Sequence, residues 1–273
     1  MTSKLATPTA GRRSYAINAR QSRWLVDTRW GIRFLGIAAV LVVWQLIALY
    51  MGPTWTPTVS ATAGAVVEVF TEGYILTVLV SLQQMFAGFF ITLAVGIPIG
   101  ILMGRSRIAD DLLSPWVMGL FSSPKEALLP LLIILFGTDF EYRVSVVVLF
   151  SLFFVVMNTA AGVRYVDRGL LEAAHAFRTP PLRLATQVLV PAAAPFVVAG
   201  IKLGLGMAFK AMIISELWIS MGTGGLIDQV GSQRALPLFY ALALVLIVIA
   251  VSIYASLNWL EHRLHFGVSS EAR

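Results

Sequence analysis

Four long apolar runs constrain this chain more than any other feature. Leu35–Tyr50, Leu128–Phe136, Val144–Met157 and Leu236–Leu257 contain no charged residue. A bilayer-spanning helix needs about 20 mostly apolar residues, and these runs form the cores of such segments. Composition agrees. Hydrophobic residues make up 58% of the 273 positions and charged residues 12%, where a soluble domain carries about a quarter charged. Mean hydropathy is +0.83. The fold class expected is all-α transmembrane.

Six spans are read at roughly 34–51, 77–103, 112–136, 143–162, 192–220 and 236–258, the second and fifth being long and glycine-rich. Domain organisation follows as a basic tail over 1–33, a transmembrane domain over 34–258 and a short tail over 259–273. The first 33 residues are polar and basic, and the apolar run after them is too long for the core of a cleavable signal peptide. Basic residues test the layout. Lys4, Arg12, Arg13, Arg20, Arg23, Arg29, Arg33, Arg105, Arg107, Arg164, Arg168, Arg178, Arg183, Arg263 and Arg273 fall on one side, and Arg143 and Arg234 on the other. The positive-inside rule therefore predicts both termini in the cytoplasm of a multi-pass cell (inner) membrane protein. It also explains the net charge of +6 without nucleic acid. Trp24, Leu25, Val26 and Trp30 among the tail arginines suit a segment lying on an anionic leaflet. A basic tail that only sets orientation is the other reading.

The predicted inner loop, about 163–191, has a pattern of its own. Leu170, Ala173, Ala174 and Phe177 fall at i, i+3, i+4 and i+7, an apolar stripe on one face of a short helix. Pro180 and Pro181 are expected to stop that helix, with a second short helix over about 182–189 leading to Pro191. An apolar stripe in the cytoplasm needs burial, against either the chain's own bundle or a cytoplasmic partner.

At this loop the chain resembles a known family. Glu172-Ala173-Ala174, followed by Val188-Leu189-Val190-Pro191, is similar to the EAA loop of binding-protein-dependent ATP-binding-cassette (ABC) permeases. Asn158–Arg164 with Val166-Asp167 resembles the lead-in. Pro191–Phe196 and Gly200–Gly204 resemble the exit into the fifth span. Gly96–Gly100 with Met103–Ser106, and Ser123–Leu131 with Phe136-Gly137, resemble the second and third spans. The spacing is nearest the nitrate, taurine and alkanesulfonate class.

The resemblance implies a type I ABC importer-like fold and a non-enzymatic translocation subunit moving a small anionic solute such as a sulfonate, nitrate or organic acid by alternating access. It further implies as partners a second copy of the chain, two cytoplasmic ATP-binding subunits that hold the ATP, and an extracytoplasmic solute-binding protein. Leu170, Leu171, Glu172, Ala173, Ala174, Phe177 and Arg178 would then be the ATPase-coupling residues. Arg178 departs from the family, which usually has glycine six residues after the motif's glutamate. Glycine there permits a left-handed turn, so a different geometry is expected of the arginine.

Charges inside spans are costly and mark candidate pathway residues. Ser122, Ser123 and Lys125 flank Pro124, where the helical bond pattern must break, and family resemblance puts this segment beside the path. Lys202, Lys210 and Glu216 lie on the fifth span. Lys202 sits near its inner end, where snorkelling to headgroups is an equal reading. Lys210 and Glu216 are six residues apart, about 9 Å along the axis and off one another's face. Lys210 either faces the pathway or is neutralised by another helix, while Glu216 reads more readily as structural.

Gly88, Gly96, Gly100, Gly204 and Gly206 read as helix-packing positions. The glycine-rich stretch 222–231 reads as a flexible outer loop. No P-loop is present, cysteine is absent, and the three histidines form no metal set. No cofactor is therefore expected in this chain. An ion-coupled secondary transporter is the alternative function, weakened by the lack of internal repeats. An intramembrane enzyme lacks the catalytic sets it would need.

Overall fold

The computed structural model describes residues 19–180 and 183–263, without the side chains of 19–30, Arg33, Arg168, Leu171, Ala173, His175, Ala185, Thr186 and His262. The expectations for the rest of the two tails, and for the side chains of Trp24, Leu25, Val26 and Trp30, fall outside that description.

Helix α1 runs Ala19–Met51. Its apolar part, Phe34–Met51, is long enough to span. The helix continues through residue 33, so no break marks the end of the basic tail. After it, Trp44 donates from Nε1 to the Pro57 carbonyl (3.1 Å), and Gln45 Oε1 accepts from the Val59 amide (3.1 Å). These bonds fold the 52–58 turn back on the helix.

The remaining described residues form a second unit. Helix α2 (Val59–Thr71) is short and apolar, and α3 is Tyr74–Arg105. Helix α4 (Arg107–Ser122) precedes a single 3₁₀ turn, Lys125–Leu128, and α5 (Leu129–Phe136). Helix α6 is Phe140–Arg164, and α7 is Arg168–Ala176. A π-helical stretch, Leu184–Leu189, runs directly into α8 (Val190–Ile219). Helices α9 (Gly222–Ser232) and α10 (Leu236–Arg263) complete the unit.

Helices α3, α6 and α8 pack into one core around Met85, Val146, Val147, Phe150, Ala208 and Ala211. Glycine sets how close they come. A Cβ at Gly100 would lie 2.6 Å from Thr159 Cβ, and one at Gly104 2.6 Å from Val163 Cβ. At Gly204 it would lie 2.9 Å from Val155 Cγ2. Gly206 differs, because a Cβ there would meet nothing within 4 Å. Its expected packing role finds no partner among the described residues.

Four sequence expectations need correction. The third span, read as one segment over 112–136, is two helical limbs bent by 96°. Pro124 has no N–H and forces Ser123 into extended backbone (φ −77°, ψ 151°), which ends α4. Five helices among the described residues are long and apolar enough to cross a membrane, or six if the bent pair is one span. The second short helix of the loop, expected over about 182–189, is present as the π-helical stretch Leu184–Leu189 but runs directly into α8, so Pro191 lies within continuous helix and not at a break.

The stretch 222–231 is not a flexible loop but helix α9, with Thr223, Gly224, Gly225 and Val230 buried. It packs with α2 and α10 through Val69, Val230, Leu242 and Val245. Finally, α7 ends at Ala176, before the two prolines reach it.

Candidate functional site

The 163–191 loop begins where α6 stops. Asp167 Oδ1 accepts from the amides of Gly169 (2.6 Å) and Leu170 (3.3 Å), capping α7 at its start. At the other end Arg178 adopts left-handed backbone, φ 49°. The Thr179 amide then reaches back to the Ala174 carbonyl at 3.0 Å. That six-to-one bond is the Schellman closure, with arginine in the place glycine commonly takes. The expectation that arginine would change the geometry is thus wrong: it takes the left-handed turn, at a cost of about 1 kcal/mol relative to glycine.

The apolar stripe divides. Ala174 turns inward and packs with Val163, Val166, Leu184, Leu189 and Ala193, so the chain's own loop buries it. Leu170 and Phe177 stay exposed, Phe177 at 85%. Glu172 and Arg178 are also exposed. The side chains of Leu171 and Ala173 lie outside the described residues. Among the described side chains, α7 and the turn that closes it thus present outward Leu170, Phe177 and the opposite charges of Glu172 and Arg178. At the loop's base Arg164 pairs with Asp110 of α4, a link between loop and bent limb that sequence reading missed.

The bend between α4 and α5 is closed by its own side chains. Ser123 Oγ donates to the Leu120 carbonyl (3.0 Å), and Lys125 Nζ to the Phe121 carbonyl (3.0 Å). Both acceptors are carbonyls left without amide partners where α4 stops. Lys125 is buried, with Nζ 5.5–6.0 Å from the rings of Phe121, Phe150 and Phe153. Within this chain its charge faces the interior. Ser122 is exposed and Ser123 half-buried.

On α8 the three charges part company. Lys202 pairs with Glu261 of α10. Glu216 is 1% exposed, and its Oε2 accepts from the Gly224 amide at 2.9 Å. It thereby holds the first turn of α9, where a carboxylate also complements the helix dipole. Thr223 joins the cluster by donating from both its amide and its hydroxyl to Ser81 Oγ (3.2 and 2.9 Å). Arg143 lies alongside, donating to Gln84 Oε1 at 2.8 Å. Sequence reading took Arg143 only as a topology marker, placed Thr223 in the expected flexible outer loop, and missed Ser81 and Gln84. The glycines at 222, 224 and 225 were the available signal, since a Cβ at Gly224 would stand 2.7 Å from the Ile213 carbonyl.

Lys210 is exposed, and the two ion pairs among the described residues do not include it. It continues an exposed stripe of α8 through Phe196, Ala199, Leu203 and Gly206. It is the one charge between Lys202 and Glu216, about 12 Å along the axis from Lys202. No group of three or more potential metal ligands occurs among the described residues.

Residues 96–266 match the family described as binding-protein-dependent transport system inner membrane component. A protein named as a probable ABC transporter permease of Brucella melitensis is 30% identical over 77% of this chain and 86% of its own length. The nitrate import permease of Synechococcus elongatus is 24% identical, covering 73% of this chain and 79% of its own. The taurine transport system permease of Escherichia coli is 25% identical, covering 89% and 91%.

Proposed function

Because the chain belongs to the family of binding-protein-dependent inner membrane transport components, we propose that two copies of it form the pathway of an importer for a small anionic solute. It is the membrane-spanning permease subunit of an ABC importer, a multi-pass inner membrane protein. Two ATP-binding subunits engage the 163–191 loops from the cytoplasm, and a solute-binding protein delivers cargo on the other side. ATP is bound and hydrolysed by those partner subunits, and both termini of this chain lie in the cytoplasm. Closure of the ATPases draws the loops together and rocks the bundles from inward-facing to outward-facing as rigid bodies.

Lys210 carries the substrate class. A lysine outside the ion pairs among the described residues, and exposed within a span, is too costly to leave against acyl chains. The face of α8 that bears it therefore meets water or protein. Gly206, one turn away, has open space where a side chain would stand, so a second copy can approach closely there. Two such lysines around a dimer axis attract an anion entering the path. The nitrate and taurine relatives, whose solutes carry oxyanion groups, agree with this charge.

The test is ATP-driven uptake in vesicles containing the full importer, with nitrate and taurine as probes. Lys210→Ala is expected to cut uptake on the order of tenfold while the complex assembles normally, and Lys210→Arg to retain most of it. Unchanged uptake in Lys210→Ala would remove the lysine from the path and the anion from the proposal.

A further inference from the structure

The C-terminal end of α7 holds a cation in a backbone conformation that glycine adopts at less cost. Arg178 has φ 49°, and the Thr179–Ala174 bond fixes the turn. Ala174 is anchored inside the loop, so the helix cannot roll without exposing it. Phe177 and Arg178 are thus presented outward by a defined turn. The loop carboxylate at Asp167 is occupied in capping the opposite end of the helix. The ion pairs among the described residues do not include Arg178. Arg183, also exposed, adds a second positive charge after it, while the exposed carboxylate of Glu172 lies mid-helix. Among the described side chains, the exposed charges from Glu172 through Arg178 to Arg183 therefore pass from negative to positive towards and beyond the C-terminal end of α7. In a helix laid into a groove, such a polarity fixes direction and register.

We propose that the ATPase groove receiving α7 carries a carboxylate opposite Arg178, making this arginine a specificity-determining contact for the cognate ATP-binding subunit. The proposal rests on the reading of 163–191 as the ATPase-contacting loop. A guanidinium is suited to the role, because its planar fork meets a carboxylate through two parallel hydrogen bonds. Phe177 beside it excludes water from the contact once buried, which strengthens the pair.

The experiment measures association of the full-length chain in lipid nanodiscs with its P-loop ATPase subunit, across a salt series. Arg178→Gly is expected to weaken association on the order of tenfold and to flatten its salt dependence. The same substitution relaxes the turn, so the thermal midpoint of the chain should not fall, and misfolding cannot account for the loss. Arg178→Glu should weaken association further, and reversing one groove carboxylate of the ATPase to lysine should rescue Arg178→Glu but not Arg178→Gly. Wild-type affinity in Arg178→Gly, or no rescue by any groove reversal, overturns the proposal.

Phe177→Asp separates the two levels. If it abolishes association while Arg178→Gly has no effect, the loop reading stands and the carboxylate contact fails. If both variants associate normally, the loop reading falls with it.

Discussion

Glu216 has one carboxylate oxygen bonded to the Gly224 amide and the other buried without a partner among the described residues. The first oxygen caps α9, and the second carries a desolvation cost. Glu216→Ala removes both effects and leaves the Gly224 amide unpaired in a buried site. The loss is expected to win, at about 2 kcal/mol of stability, because an orphaned buried donor costs its full desolvation. Glu216→Gln keeps an acceptor for the amide and should lose less. Thermal unfolding of the detergent-solubilised protein measures both, and a rise in midpoint for Glu216→Ala would mean that the unpaired oxygen dominates. The site was half legible in the sequence. A carboxylate within a span announces a special position, but its partner lies across a turn whose left-handed entry, Gly222 at φ 63°, brings the amides back towards it. Arg178 shows the opposite limit. Residue preference argued against a left-handed arginine, and the tertiary anchoring of Ala174 outweighed that preference.

At the scale of elements, the periodic spans were readable because each is apolar over most of its length. The bend was not, although Pro124 announced a break. A proline fixes where a helix stops but not the angle at which the chain resumes. Here the angle accompanies the burial of Lys125 among Phe121, Phe150 and Phe153, side chains from two elements. Helix α9 was hidden for a related reason: four glycines in 222–231 depress helix propensity, and capping by Glu216 with burial against α10 compensates.

The bend has a direct measurement, and the absence of cysteine makes paired labelling clean. Spin labels at Leu112 and Leu135, both exposed, would stand about 35 Å apart on one straight helix and about 20 Å apart across the bend, at 1.5 Å rise per residue. Pulsed dipolar distances in lipid are expected near the shorter value. Lys125→Ala removes the cap on Phe121 and should broaden the distribution towards longer distances. A single long distance in the unsubstituted background would restore the unbroken span.

For the whole molecule, sidedness decides whether the coupling loop and the anion path have the meanings given to them. Fifteen basic residues on one predicted side against Arg143 and Arg234 on the other is a bias that insertion machinery reads chiefly from short loops. The structure adds a reason for one of the two exceptions. Arg143 is engaged with Gln84 and Met221, so its charge serves the buried cluster around Glu216 and is not free to pull its end of the bundle inward. Single cysteines at Asp139 and Ser232 should therefore react with a membrane-impermeant maleimide on intact cells, whereas a cysteine at Ile108, which is 82% exposed, should react only after permeabilisation. The inverse pattern would place residues 163–191 outside the cell, beyond reach of any ATPase. It would also leave Arg178 and Phe177 without the partner that their exposure calls for.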